Sequence, residues 1–371
     1  MNNSKINKMP RIYISGAMRS GSSLVSGIIN GHSKSKILEN FHLQRFIIGK
    51  NEILDKKIIN FKIRETNARL GIRYGININE NKVIKNLIKK NKISYKDVYN
   101  ELILDQLDQN NSLEIIGEDA PMSWRFIEQF VKMYKKEARV IHLIRDPRSI
   151  FASWKKITYQ DLNYWGCIFN LIDNMNYAKK LKSKLNKKNY LLVRFEDILK
   201  NPKKFAKIFC KFLNIKFEKE MIRPDLWPEI FEKKNIQLGW SSIGNKDVTG
   251  FYKDRIDTWK RYLNKGEIFI IEMFMKNHLI ENKYKLNEIS EKNESVKLEL
   301  IKFFKCIHKS EYLKNAINNF LKHKEGTNQF ANDPTDPFTW GGGRKNKVKF
   351  ISTPEGKKYL KILNSLKKKY L

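Results

Sequence analysis

The sequence predicts an α/β fold, with a mainly parallel central sheet flanked by helices, because three segments share one strand–turn–helix pattern. These segments begin near residues 11, 138 and 190, and in each a short apolar run precedes a polar turn and an amphipathic stretch. Strands that alternate with helices pair in parallel and are covered on both faces. The 371 residues are 41% hydrophobic, so we expect a globular protein with a substantial core.

The first unit, residues 11–31, contains a glycine-rich turn. The apolar run Ile12–Ile14 leads into "GAMRSGSS", in which four residues separate Gly16 from Gly21. This spacing is the skeleton of a nucleotide-binding phosphate loop, and an apolar-faced helix follows it. The pattern therefore predicts a P-loop-like, three-layer fold.

The loop lacks the lysine that kinases and ATPases place after the second glycine. Ser22 stands at that position, and Arg19 inside the loop is the nearby cation. Backbone amides and the positive end of a helix bind oxyanions, whereas a magnesium triphosphate also needs the lysine and an acidic metal ligand. The loop therefore suits a single terminal oxyanion. The residues that are candidates to bind this oxyanion are Arg19, Ser20, Gly21, Ser22 and Ser23.

Residues 41–115 show no clear strand pattern of apolar residues, and we interpret them as a mainly helical insertion. Ser94 precedes Asp97 by three residues, which approaches a capping-box pattern at a helix start.

The second unit joins the apolar strand Val140–Ile144 to a charged turn and a helix with Pro147 in its first turn. Arg145 stands at the carboxyl end of the strand, and Ser153 follows eight residues later on the helix. Ligands of α/β proteins bind at this edge of the sheet, and a guanidinium with a hydroxyl forms an anion clamp. We expect Arg145 and Ser153 to converge on a second phosphate.

The third unit, residues 190–215, consists of the strand "YLLVRFEDI" and an amphipathic helix. Residues 324–347 are rich in Gly, Pro, Asn and Asp, which is typical of a linker. Residues 341–371 carry ten Lys and Arg against one acid. We therefore divide the chain into an α/β domain at 10–288, a helical extension at 289–323, and a linker with a basic tail at 324–371.

The net charge of +34 raises the question of an anionic partner. Lysines are spread along the whole chain, and no nucleic-acid-binding module is recognisable, so we do not expect a nucleic-acid partner. No apolar run is long enough to span a bilayer, and we predict a cytoplasmic protein. The spacing of Cys167, Cys210 and Cys306 matches neither a zinc site nor a disulfide framework.

Four motifs, in this order, resemble the sulfotransferases that use 3′-phosphoadenosine 5′-phosphosulfate (PAPS): "RIYISGAMRSGSSL", "RVIHLIRDPRSIFASW", "LLVRFEDILKNPKKFAKIFCKFLNI" and "DRIDTWKRYL". The resemblance spans roughly residues 10–285 and points to a bacterial-type or glutamate-base branch. It implies an enzyme that moves a sulfuryl group from PAPS to a hydroxyl or amine by in-line transfer, without a metal. There are two alternatives. One is a P-loop kinase or NTPase, and the other is a basic protein that binds nucleic acid or an anionic surface.

The resemblance also implies site residues. In that family the first loop holds the 5′-phosphosulfate, and the strand–helix turn holds the 3′-phosphate, which here implies Arg145 and Ser153. A late loop reaches the phosphate too, and Lys253 and Arg255 are the nearest matches. Arg19 is implied as the residue that neutralises charge on the leaving adenosine 3′,5′-bisphosphate.

The general base has three candidates. The glutamate-using branch of the family implies Glu39, which follows the first helix, with His42 as the alternative. Glu118 in "GEDAP" is a further acid, and at Asp119 this sequence departs from many bacterial relatives, which have a lysine there. The sequence identifies neither the acceptor, the role of the basic tail, nor the oligomeric state.

Overall fold

The structure, a computed structural model, describes residues 9–39, 54–74, 77–107, 113–157, 165, 167–234, 251–309, 314 and 354–370.

A five-stranded sheet lies at the centre of the described chain, with the strand order β2-β3-β1-β4-β5. Every pair of neighbouring strands is parallel, so all five carboxyl ends meet at one edge. The predicted mainly parallel α/β fold is therefore confirmed. The strands are β1 (Arg11–Gly16), β2 (Ser35–Glu39), β3 (Ile115–Asp119), β4 (Ala138–Ile144) and β5 (Tyr190–Arg194).

Helices cover both faces of this sheet. Short 3-10 turns at Trp124–Phe126, Lys135–Glu137, Lys219–Ile222 and Lys253–Arg255 join some of them. The α-helices of the described residues are α1 (Ser22–Asn30), α2 (Lys56–Tyr74), α3 (Glu80–Ile88), α4 (Tyr95–Leu107), α5 (Ile127–Tyr134), α6 (Pro147–Ile157), α7 (Cys167–Lys184), α8 (Phe195–Lys200), α9 (Pro202–Leu213), α10 (Trp227–Lys233), α11 (Trp259–Tyr262), α12 (Lys265–Glu281), α13 (Glu294–Lys309) and α14 (Pro354–Tyr370).

The side chains of β1 alternate between two apolar layers, as the two-residue period of a strand requires. Ile12 and Ile14 belong to a layer that includes residues of α1, α9 and α10. Tyr13 belongs to the opposite layer, where its ring stacks on Phe130 of α5 at 5.0 Å. Burial on both faces explains why β1 is a continuous apolar run in the sequence.

The described part of the predicted insertion consists of α2, α3 and α4. The basic carboxyl-terminal segment forms α14, which packs along α2. The buried Tyr359 hydroxyl of α14 donates a hydrogen bond to Glu65 Oε1 of α2 at 2.7 Å. None of the helices that the structure describes has the length and apolar character needed to cross a membrane.

Candidate active site

The glycine-rich turn between β1 and α1 depends on backbone conformations that favour glycine. Gly21 has a φ of 98°, and a Cβ there would lie 2.2 Å from Cδ2 of Phe195. A Cβ on Gly16 would lie 2.5 Å from the Leu143 carbonyl oxygen. Arg19 also has a positive φ, 71°, which an ordinary residue adopts at some cost. The turn therefore lies tightly against β4 and the start of α8.

The first turn of α1 offers donors to a ligand. Gly21 is the N-cap residue and provides no side-chain acceptor, and the first turn contains no acid. The first backbone amides of a helix lack intrahelical partners, and the helix dipole favours an anion there. The Ser20 hydroxyl in the same loop is buried without a hydrogen-bond partner. An oxyanion at this helix start would satisfy these groups.

Arg19 connects the loop to the second predicted clamp. Its Nε donates a hydrogen bond to the Ser153 hydroxyl on α6 at 2.8 Å. Burial lowers the pKa of Arg19, and the nearby positive charge of Arg255 lowers it further. The residues predicted for two separate anions, Arg19 and Ser153, thus contact each other.

Arg145 lies between the loop and the late segment. Its Nη1 donates to the Arg19 carbonyl and its Nη2 donates to the Arg255 carbonyl, both at 2.9 Å. The guanidinium lies 4.3 Å above the Phe195 ring, and its buried Nε has no partner. Burial lowers the pKa of Arg145 to about 10; Glu196 and Asp146 oppose this shift, while Arg19 and Arg255 add to it. Three arginines therefore share one small region.

A network of paired charges holds the turn that carries Arg145. The Asp146 amide donates to Glu196 Oε1 at 2.8 Å, and the Tyr284 hydroxyl donates to Glu196 Oε2 at 3.0 Å. Arg148 forms ion pairs with Asp146 at 2.7 Å and with Glu272 at 2.6 Å. These contacts fix the strand–helix turn that carries Arg145.

The segment that contains Lys253 and Arg255 is tied to the same turn. The Ser149 hydroxyl donates to the Ile256 carbonyl at 2.9 Å, and the Arg148 guanidinium lies 4.2 Å above the Trp259 ring. Lys253 itself is exposed, whereas Arg255 is half-buried. The structure therefore brings Arg19, Arg145, Ser153 and Arg255 together, with Lys253 at the margin.

The structure describes the three candidates for the general base only in part. Glu39 ends β2, and its backbone pairs with Asp119 of β3, but its side chain lies outside the described residues, as does all of His42. Glu118 is fully buried and accepts a hydrogen bond from the Tyr99 hydroxyl at 3.1 Å. Within the part of the chain that the structure describes, no group of three or more His, Cys, Asp and Glu side chains is arranged to hold a metal ion.

Asp119 faces the layer opposite to Glu118, beside α1. It is fully buried, and among the described residues no cation or backbone amide donates to its carboxyl oxygens. Burial raises the pKa of Asp119 to about 7, and the neighbouring Ser22 hydroxyl partly offsets this shift. Sequence reasoning noted Asp119 as a departure but did not place it beside the loop. Its position at the carboxyl end of a strand was the signal for such a location.

A family model described as "Sulfotransferase family" matches residues 10–219. A similar solved structure is the sulfotransferase domain from the curacin biosynthetic pathway, with a TM-score of 0.53 and 19% identity over 76% of this chain and 100% of that one. The sulfotransferase domain from the Synechococcus PCC 7002 olefin synthase has a TM-score of 0.52 and 17% identity over 75% and 96%. No curated protein matches the sequence significantly.

Proposed function

The chain belongs to the sulfotransferase family, and we propose that it transfers a sulfuryl group from PAPS to a hydroxyl or amine of an acceptor that the sequence does not identify. A cytoplasmic location and the lack of a nucleic-acid partner stay predictions from the sequence.

The observation that supports this proposal is the cluster of arginines beside the loop. Burial lowers the pKa of Arg145 most, and the repelling charges of Arg19 and Arg255 lower it further, although Glu196 and Asp146 act in the opposite direction. A ligand with two separated anionic groups would relieve this repulsion. PAPS has such groups at its 5′ and 3′ positions.

The fit of the donor follows from groups that lack partners. We assign the 5′-phosphosulfate to the loop, where the buried Ser20 hydroxyl and the start of α1 face no acceptor of their own. We assign the 3′-phosphate to Arg145, whose Nε is unpaired, together with Ser153, Lys253 and Arg255. The guanidinium fork suits phosphate oxygens better than a lysine does.

The residues of this chain then have separate tasks. When bound, PAPS supplies the sulfuryl group. Arg19 and the amino end of α1 stabilise the negative charge that develops on the departing bisphosphate. Ser153 holds the Arg19 guanidinium through the 2.8 Å hydrogen bond. These preorganised positive groups need no rearrangement during the transfer.

The acceptor must lose a proton to a base as the new bond forms. We propose Glu39 for this task because it ends β2 at the edge of the sheet where the loop also lies. His42 is the alternative. Glu118 is less suited, because it contacts Tyr99 in the layer away from α1. Glu39→Gln should lower turnover much more than it weakens binding of adenosine 3′,5′-bisphosphate, and if His42→Gln does so instead, the two roles are exchanged.

Ligand-dependent thermal unfolding tests the donor. Adenosine 3′,5′-bisphosphate at 100 times its Kd should stabilise the protein by about 2.7 kcal/mol, because it binds only the folded state. ATP with magnesium should stabilise it much less, and the reverse preference would overturn the proposal.

Arg19→Ala tests the assignment of the loop. Removal of one such charged donor typically costs about 10²- to 10³-fold in turnover. Arg223→Ala is the matched control, because Arg223 is an exposed arginine whose ion pair with Asp225 lies on the surface. Full PAPS-dependent turnover in Arg19→Ala would show that the site is wrongly assigned.

A further inference from the structure

Asp119 differs from the buried acids Asp173 and Glu196 in that, among the described residues, no cation or backbone amide donates to either carboxyl oxygen, and the Ser22 hydroxyl is its polar neighbour. Asp173 accepts hydrogen bonds from Trp124 at 2.6 Å and from Arg125 at 2.8 Å. Glu196 accepts from the Asp146 amide and the Tyr284 hydroxyl. A buried carboxyl without a cation or an amide donor is costly, so its retention calls for an explanation.

The carboxyl is held directly behind the anion-binding loop. The Ala120 amide donates to the Ile14 carbonyl at 2.8 Å, and the Ser15 hydroxyl donates to the Ala120 carbonyl at 2.9 Å. The Met122 amide donates to the Gly16 carbonyl, also at 2.8 Å. These bonds fix the end of β3 against the base of the loop, so Asp119 has little freedom to move away.

Few charged groups of the described residues face Asp119. Its neighbours on β1, Ile14 and Ser15, do not titrate, and the first turn of α1 contains only Ser22, Ser23 and Leu24. The segment 120–123 contains no titratable residue. Arg19 in the loop is directed to Ser153 on the other side. Glu39 is the backbone neighbour on β2, and it is an acid rather than a compensating cation.

An anion in the loop would sit beside this uncompensated acid. Coulomb repulsion between an ionised Asp119 and the anion would be strong, because burial removes the screening that water provides. An ionised carboxylate would also accept the Ser22 hydroxyl hydrogen and turn it away from the ligand. A protonated Asp119 would donate to the Ser22 oxygen instead, and the Ser22 hydrogen could then point to the anion.

We infer that Asp119 is a positioning residue that takes up one proton from solvent when the donor's anion occupies the loop, and thereby directs the Ser22 hydroxyl toward that anion. This inference rests on the proposed function. It makes donor affinity dependent on pH through a group that does not touch the donor.

Isothermal titration calorimetry with adenosine 3′,5′-bisphosphate, in two buffers of different ionisation enthalpy, counts the protons taken up on binding. At pH 7.5, with a starting pKa of about 7, the wild type should take up as much as ~0.75 proton more than Asp119→Asn. Above pH 7, the wild-type Kd should also rise by up to about tenfold per pH unit relative to the variant. Glu65→Gln is the matched acid-to-amide control, since Glu65 is a buried acid on α2.

The outcomes of this experiment distinguish the role of Asp119 from the assignment of the donor. Equal proton uptake by wild type and Asp119→Asn, with normal binding, would overturn the role of Asp119 and leave the donor assignment intact. Absence of binding to both proteins would overturn the donor assignment and this inference with it. If Asp119→Asn does not fold, the wild type alone decides. The ligand's own phosphates titrate near pH 6, so a wild type that takes up no proton above pH 7 contradicts the inference.

Discussion

Arg145 and Arg148 lie three residues apart in one turn, yet their environments differ. Each guanidinium lies over an aromatic ring, at 4.3 Å for Arg145 and 4.2 Å for Arg148. Arg148 is paired with two carboxylates, which raise its pKa, whereas Arg145 donates to two backbone carbonyls and its pKa is lowered. The paired arginine holds the turn together, and the arginine without a carboxylate contact is the one that a ligand anion can neutralise.

Replacement of the paired arginine should have the largest effect on folding. Arg148→Met leaves the buried carboxylates of Asp146 and Glu272 without their cation. Loss of one partner of a buried ion pair costs about 3–5 kcal/mol of unfolding free energy. Urea denaturation measures it, and a loss below about 1 kcal/mol would mean that the network does not stabilise the turn.

The matched change, Arg145→Met, should act mainly on ligand binding. It removes a charged donor worth about 1.5–3 kcal/mol, so the Kd for adenosine 3′,5′-bisphosphate should rise about 10- to 100-fold. The unfolding free energy without ligand should fall less than in Arg148→Met, because no carboxylate in contact with Arg145 is left unpaired. Calorimetric titration gives the Kd. An unchanged Kd with a larger loss of stability would reverse the comparison.

This distinction could be only partly predicted from sequence. Arg145, Ser153 and the loop were selected from local motifs, and the structure brings them together at one edge of the sheet. One carboxylate that pairs with Arg148, Asp146, stands in the same motif, but the other, Glu272, follows Arg148 by 124 residues. A motif shows only which residue types stand close together in the sequence, so it does not predict a contact between residues that are far apart in the sequence.

The strands of the sheet could also be predicted only in part from the sequence. The three apolar strands β1, β4 and β5 were predicted, whereas β2 and β3 were not recognised as strands. Their sequences, "SKILE" and "IIGED", are only five residues long and mix polar and apolar residues. Pairing with β1 makes β3 a strand despite its acidic end, and β2 depends in turn on β3. Tertiary context, rather than local propensity, determines these two strands.

The buried acid Asp119 extends the comparison to pH. The pKa of Asp119 is about 7 in the folded protein and 3.8 in the unfolded chain. The folded state therefore binds more protons between these values, and stability falls as pH rises through this window. Between pH 6 and 7 the wild type should lose about 1 kcal/mol relative to Asp119→Asn. Urea denaturation at both pH values measures the difference, and parallel behaviour would show that Asp119 is already ionised near its ordinary pKa.

The smallest effect is expected at Ser153, which holds Arg19 without carrying a charge. Ser153→Ala removes the acceptor of the Arg19 Nε hydrogen bond, a contact worth about 0.5–1 kcal/mol. Turnover should fall about twofold to fivefold, because Arg19 keeps its charge but loses part of its orientation. Ser183→Ala is the control, since that exposed hydroxyl contacts only its own helix at the Lys180 carbonyl. A loss as large as that of Arg19→Ala would mean that the Ser153 hydroxyl contributes as much to the site as the Arg19 charge, whereas no loss would mean that the loop alone orients Arg19.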